Sequence, residues 1–211
     1  MNQVDKLKKL NKFSYFDMNT LSQIIDISQN SLYSNVKRWL KNAKLIQLKK
    51  GFYVTGEYFN NNFKKDSYFE FVANKLCEPS YLSGEYVLQQ YNILSEAVYA
   101  MTSVTLKGKR EYKNNLGRFI YRNIKDDLFD GYVIVEKDGF QIKIATKAKA
   151  LFDYLYLKFY RIKNIDSKKL DSLRLNLEGF SKKDLKEFSK YCEMTGITKF
   201  KLLPEELRKI L

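Results

Sequence analysis

Histidine is missing altogether from the 211 residues of this chain. Its absence removes the side chain that most often serves as general base near neutral pH, and with it the Ser-His and Cys-His nucleophile pairs, which counts against an enzyme. Cysteine is almost as scarce: Cys77 and Cys192 stand alone and far apart. Two thiols without histidine do not make a zinc site, and a disulfide framework needs denser spacing, so they read as reduced, buried thiols of a cytoplasmic protein. The nine glycines form no GxxxxGK[ST] or GxGxxG loop, so no nucleotide-binding signature is present and neither a cofactor nor a metal is expected. No apolar run approaches the roughly 18 to 20 residues that span a bilayer. The opening MNQVDKLKKLNK has neither an apolar centre nor a small-residue cleavage site, so no membrane association and no signal peptide are expected.

What is present is a globular composition, 45% hydrophobic and 15% aromatic, with a net charge of +14. The charge is spread along the chain: residues 1–60 carry ten Lys and Arg against four Asp and Glu, and the remainder 28 against 20. Such an excess asks for a polyanionic partner. A Lys- and Asn-rich vocabulary also reflects coding bias, so charge alone is weak support for a nucleic-acid partner.

The pattern is densest in Asn19–Thr55, NTLSQIIDISQNSLYSNVKRWLKNAKLIQLKKGFYVT. Before it, Val4, Leu7 and Leu10 fall at helical spacing over residues 3–11, and Phe13 and Phe16 follow as the connection packs back. Asn19 reads as an N-cap, with Leu21, Ile24 and Ile25 the buried stripe of a second helix ending near Asp26. Ser28 caps a third helix that places Leu32, Val36, Leu40 and Ala43 on one face with Trp39 at its flank. Its other face carries no acid from Gln29 to Leu48. There Ser28, Gln29, Asn30, Ser31, Tyr33 and Ser34 can reach base edges or phosphates, and Lys37, Arg38, Lys41 and Lys44 suit phosphates. Two short strands, Leu45–Leu48 and Phe52–Thr55, flank a turn in which Gly51 supplies positive φ and Lys49 and Lys50 would meet the DNA backbone. Helix, helix, helix and hairpin in that order spell a winged helix-turn-helix for residues 1–60, with double-stranded DNA as partner.

Residues 56–66 lose periodicity and read as a linker into a second domain, 61–211. A helix over Ser67–Cys77 is stopped by Pro79, and Ser83 caps a short one with Tyr86, Val87, Leu88 and Tyr91 as its apolar content. From Val98 the period changes to two. Tyr99–Thr105, Arg110–Tyr112, Arg118–Asn123, Gly131–Glu136 and Phe140–Ile144 read as strands, the last two joined by an Asp138-Gly139 turn. Thr146 caps a helix through Phe159 with Ala148, Leu151, Phe152 and Leu155 inward. After a less regular stretch over 162–180, helices are expected at 181–192 and 204–211. The fold class is α+β, with helices flanking a mostly antiparallel sheet. Alternation puts Arg118, Ile120 and Arg122 on one face, with Lys107, Lys109 and Arg110 on the preceding hairpin. Such a basic face with aromatics nearby could contact nucleic acid or an acidic partner.

Several pieces in this order carry a likeness to a known family: Tyr81-Leu82-Ser83, the Thr102–Thr105 strand, Gly117-Arg118-Phe119 leading to Tyr121-Arg122, and Lys149-Ala150-Leu151. Together with SLYSNVKRWLKNAKLIQLKKGFYV, they make residues 15–160 resemble the AbiEi antitoxins of type IV, abortive-infection toxin–antitoxin systems. Asn123 stands where that pattern has His, and TKAKAL replaces Ser-Pro-Glu-Lys-Ala-Leu. The resemblance implies a transcriptional repressor that binds inverted repeats in its own promoter. It further implies a C-terminal domain that counters a nucleotidyltransferase-like toxin, without requiring a stable complex. The surface carrying Lys107, Lys109, Arg110, Arg118 and Arg122 is then the antitoxin surface. Two other readings are a solitary winged-helix regulator and a protein-interaction module. A third is a metal-dependent nuclease built on Asp130 with Gln141 and Lys143 across the hairpin, Asp126, Asp127, Glu136 and Asp138 being nearby acids.

Overall fold

A computed structural model describes residues 3–62 and 65–209, without the side chains of Gln3 and Val4. Val4 of the first stripe, part of the expected linker at Phe63 and Lys64, and the last two residues of the expected terminal helix therefore lie outside the described residues.

The first elements are α1 (Gln3–Lys8), which runs into a single 3-10 turn over Lys9–Lys12, and β1 (Phe16–Asp17). Then come α2 (Met18–Ile25), α3 (Gln29–Lys41), β2 (Leu45–Lys49) and β3 (Phe52–Thr55). The three strands form an antiparallel sheet in the order β1-β3-β2. Helices and sheet enclose a small core of Leu7, Leu10, Phe16, Leu21, Ile25, Leu32, Val36, Trp39, Leu45 and Tyr53.

Local chemistry sets these boundaries, and in two places differently from the sequence reading. The α2 cap is Asp17, not Asn19: its carboxylate accepts from the Thr20 backbone N–H at 2.8 Å. A residue three before the first free amide satisfies it better than one inside the turn. On α3 the buried stripe is Leu32, Val36 and Trp39, while Leu40 is half-buried and Ala43 exposed. Steps of four and three follow the 3.6 period, and the helix has already ended at Asn42 before Ala43.

The expected linker is largely helical, as α4 (Gly56–Asn62). Gly56 is fixed against the end of α3, its N–H donating to the Lys44 carbonyl at 2.9 Å. A Cβ at Gly56 would collide with the Ala43 carbonyl, so only glycine allows this approach. Leu48, Val54 and Phe59 point away from the small core and join the larger one. Tyr15, stacked on Phe52 at 5.5 Å, also meets Phe71, and the Tyr68 hydroxyl donates to the Ser14 carbonyl.

The rest comprises α5 (Asp66–Leu76), β4 (Ser80–Leu82), α6 (Glu85–Gln90), β5 (Ala100–Thr105), β6 (Arg110–Asn114), β7 (Gly117–Asn123), β8 (Tyr132–Lys137) and β9 (Phe140–Ala145). It closes with α7 (Lys147–Phe159), α8 (Ser167–Asp171), α9 (Lys182–Met194), α10 (Thr198–Lys201) and α11 (Leu203–Arg208). Six strands form one mixed sheet, β6-β7-β5-β4-β9-β8. Its β5–β7 and β4–β9 pairings are parallel and the other three antiparallel. The central β4 is fully buried and only three residues long, too short to show a period. The Asp138-Gly139 turn is present, both residues having positive φ.

One face of this sheet lies on α5, where the Tyr121 hydroxyl donates to the Ala73 carbonyl at 2.6 Å. The other face lies on α7, itself covered by α9. Enclosed on both sides, α7 buries nine residues, including Lys149 and Asp153 with no exposed side-chain surface. The Lys149 ammonium donates to Asp153 at 2.6 Å and to the Leu128 carbonyl at 2.7 Å. Tyr81 and Ser83 donate to the other Asp153 oxygen at 3.1 and 2.7 Å. Burial pushes the Asp153 carboxyl above its ordinary range, against the pull of Lys149 and these donors. Ser83 is thus not a helix cap; Gly84, at positive φ, precedes α6 instead.

Candidate nucleic-acid interfaces

The exposed ridge of α3 is the first candidate. Ser28, Gln29, Asn30, Ser31, Tyr33, Ser34, Lys37, Arg38, Lys41 and Lys44 are all exposed, as is Lys50 beyond them. Ser28 caps the helix through the Ser31 N–H and hydroxyl. Arg38 donates to Asn35 at 2.7 Å, one turn earlier. Among the described residues none of Lys37, Arg38, Lys41, Lys44 and Lys50 forms an ion pair with a carboxylate. The ridge is therefore a row of unneutralised cations with short polar groups at its N-terminal end.

Lys49 departs from the expected arrangement. It is half-buried, donates to the Leu76 carbonyl at 2.8 Å and lies 4.0 Å from the centre of the Phe52 ring. Burial pushes its ammonium below the ordinary lysine range. A bulge between Gln47 and Lys49 turns it toward the large sheet, so it ties the hairpin to α5, and Lys50 alone stays exposed at the tip. The Asn114 amide, donating to the Leu48 carbonyl at 2.8 Å, joins the outer strand β2 to the outer strand β6.

The second candidate is a groove of about 660 Å3 between the outer strands β6 and β7 and the end of α7. On β7, Phe119 and Tyr121 are buried, while Arg118, Ile120 and Arg122 face the groove. Register places Glu111 opposite Ile120, on the same face. Arg118 makes a two-pronged pair with Glu111 at 2.6 and 3.0 Å, and Arg122 pairs with Glu85 at 3.1 Å. The Arg118 guanidinium holds the Glu111 carboxyl below its usual range. Lys109 completes the near wall.

Two of the five residues assigned to this surface lie elsewhere. Arg110 pairs in register with Tyr121 and so belongs to the opposite face, its Nε donating to the Gly108 carbonyl. Lys107 is exposed on the preceding loop but does not line the groove. Conversely, Lys125, Lys158, Tyr160 and Arg161 line the far wall and were not singled out by the sequence. They follow β7 and end α7, and only the packing of α7 on the sheet brings them opposite Arg118.

Of the residues considered for a nuclease, Glu136, Gln141 and Lys143 share one face of the β8–β9 hairpin, but Asp130 does not join them. Ile134 opposes Lys143 and Glu136 opposes Gln141, whereas Asp130 lies beyond the Tyr132–Ala145 end of the ladder. Asp138 accepts from Ser67. Cys77 and Cys192 are both free and buried. No helix among the described residues is long and apolar enough to cross a membrane. No protein-family model matches the chain, and no curated protein matches it in sequence.

Proposed function

We propose that the chain is an autoregulating antitoxin of the type IV kind that its sequence resembles. In this reading residues 1–60 are a winged helix-turn-helix that binds inverted repeats in its own promoter, and residues 61–211 counter a nucleotidyltransferase-like toxin. The observation that carries the DNA-binding half is the α3 ridge, a helix third in order before a β-hairpin, whose outer face holds three cations and no acid, with Lys44 and Lys50 exposed beyond it. Such a ridge matches the geometry by which a recognition helix enters a major groove, cations on phosphates and short polar groups toward base edges. The antitoxin half rests on the ordered likeness over Tyr81–Leu151; of the five cations assigned to its surface, Lys109, Arg118 and Arg122 share the groove, while Lys107 and Arg110 lie outside it.

Two measurements test the two halves separately. Footprinting of the full chain on DNA upstream of its own gene should protect paired repeats, with affinity falling steeply as salt rises. Co-expression with an adjacent nucleotidyltransferase-like gene should relieve growth arrest. Full-length variants serve better than truncations here, because Leu48, Val54 and Phe59 belong to the larger core and their removal would expose it. A solitary regulator would give the footprint and no rescue.

A further inference from the structure

We infer that the groove between β7 and the end of α7 binds single-stranded nucleic acid, at a site separate from the α3 ridge. The inference goes beyond the antitoxin reading and stands on the groove alone. Six cations line it, Lys109, Arg118, Arg122, Lys125, Lys158 and Arg161, with Glu111 the one acid among the lining residues. Lys109, Lys125, Lys158 and Arg161 pair with no carboxylate among the described residues. The two arginines that are paired hold their acids in half-open positions, where an ion pair is readily exchanged for a phosphate.

Charge alone would suit any polyanion; the floor narrows the choice. Ile120, Ile124, Tyr156 and Leu157 give it an apolar bottom. Tyr160 stands at its rim 45% exposed, its ring 5.3 Å from the ring of Tyr156. An aromatic platform held by packing, above an apolar floor and between rows of cations, is what an unpaired base and its flanking phosphates require. A duplex keeps its bases stacked inside and could use only the cations. The carboxylates of an acidic peptide would use only the cations and leave the Tyr160 ring and the apolar floor without a partner. Ribose and deoxyribose strands share the chemistry that the groove reads, so both belong in the test.

The test is fluorescence anisotropy of the folded full-length protein with labelled oligomers of about 12 nucleotides, as RNA, as single-stranded DNA and as blunt duplex. The Lys125→Ala, Lys158→Ala, Arg161→Ala triple variant should weaken single-strand binding roughly 10- to 100-fold and lower its salt slope by about 2. Tyr160→Leu should weaken it roughly fivefold or more, and Tyr160→Phe should restore it. All four side chains are exposed, so melting temperatures should not move, and binding of the promoter duplex should be unchanged. Binding of either the RNA or the DNA strand with this pattern supports the inference. Three results would overturn it: single-strand binding unchanged in the triple variant, loss of that binding to the same extent in Lys37→Ala, Arg38→Ala, or displacement by polyglutamate as effective as by unlabelled oligomer. The last result would point to an acidic protein. Rescue from the toxin is scored in cells, so failure of strand binding and failure of the antitoxin reading remain distinct.

Discussion

The α3 ridge and the β7 groove are both basic, but they hold their charge differently. On the ridge the cations stand without acids, and the first acids in sequence to either side are Asp26 and Glu57. In the groove Arg118 and Arg122 are each held by a glutamate, and the unpaired cations other than Lys109 come from a second wall. The ridge is polar and made mostly by one helix, with Lys44 and Lys50 beyond it. The groove is concave, has an apolar floor and exists only because α7 packs on the sheet. A free row meets a duplex backbone with little rearrangement, whereas guarded arginines over an apolar floor favour a ligand that can offer something besides charge. One net charge of +14 thus covers two surfaces of different chemistry.

The sharpest way to break this comparison is to remove the support of one surface only. The groove's second wall is anchored through the wholly buried Lys149 and Asp153, which pair within α7 and bond outward to the Leu128 carbonyl and to Tyr81 and Ser83. Asp153→Ala leaves an ammonium buried beside Tyr81 and Phe152 without its counter-charge, which costs about 3–5 kcal/mol. Urea unfolding should register that loss. The double variant Lys149→Met, Asp153→Leu removes both charges at similar volume and should recover most of it. If the single variant were as stable as the parent, the pair would not be what fixes α7.

The next effect in size acts on the ridge. Lys37→Ala with Arg38→Ala should lower promoter-duplex affinity roughly 10- to 100-fold and reduce the salt slope by about 2, with no change in melting temperature. A gel shift across salt concentrations reads both. Unchanged affinity would mean that α3 is not the element meeting DNA.

These two variants also mark what the sequence makes legible. Period and caps orient a side chain relative to its own element. That suffices for the polar face of α3, for Arg118 and Arg122 opposite Phe119 and Tyr121, and for the Asp138-Gly139 hairpin. Period does not say which element will lie opposite. Lys125, Lys158, Tyr160 and Arg161 are separated from Arg118 in sequence and meet it only through packing. Lys49 read as a free hairpin tip because its partner, the Leu76 carbonyl, belongs to another helix. Lys149 and Asp153 carry charge that period alone would turn outward, yet Tyr81 and Ser83 on one side and Tyr191 of α9 on the other enclose them. Residues 56–66 read as a linker because a short helix anchored by Gly56 and Phe59 shows no repeating apolar stripe.

A smaller effect concerns the base of the ridge. Asp17 caps α2, and the Thr20 N–H holds its carboxyl below the ordinary range, with partial burial opposing. Asp17→Ala should cost about 1 kcal/mol at neutral pH. A depressed folded value means that the contribution is complete above the unfolded pKa of about 3.9 and is lost as pH falls through the folded one. The stability gap between parent and variant should therefore narrow on acidification below about pH 4. Asp17→Asn keeps a capping oxygen without the titration, so the difference in stability between Asp17→Asn and Asp17→Ala should stay flat over the same range. A gap that widened in acid would place the stabilising interaction elsewhere.

The smallest effect is the one most specific to the contrast between the surfaces. Glu111 and Arg118 are both largely exposed, so Glu111→Gln should leave the melting temperature unmoved: water solvates either charge well without the other. What changes is the state of Arg118, released from its two-pronged pair and free to meet a phosphate. Single-strand affinity should then rise roughly two- to fivefold, with the salt slope steeper by up to about 0.7, since one more cation is available to displace counterions. Affinity of the α3 ridge for the promoter duplex should not change, because Glu111 pairs with Arg118 and, among the described residues, with no ridge cation. A rise in duplex affinity of the same size would mean that the ridge and the groove serve one continuous ligand, and the distinction between a free and a guarded basic surface would lose its functional meaning.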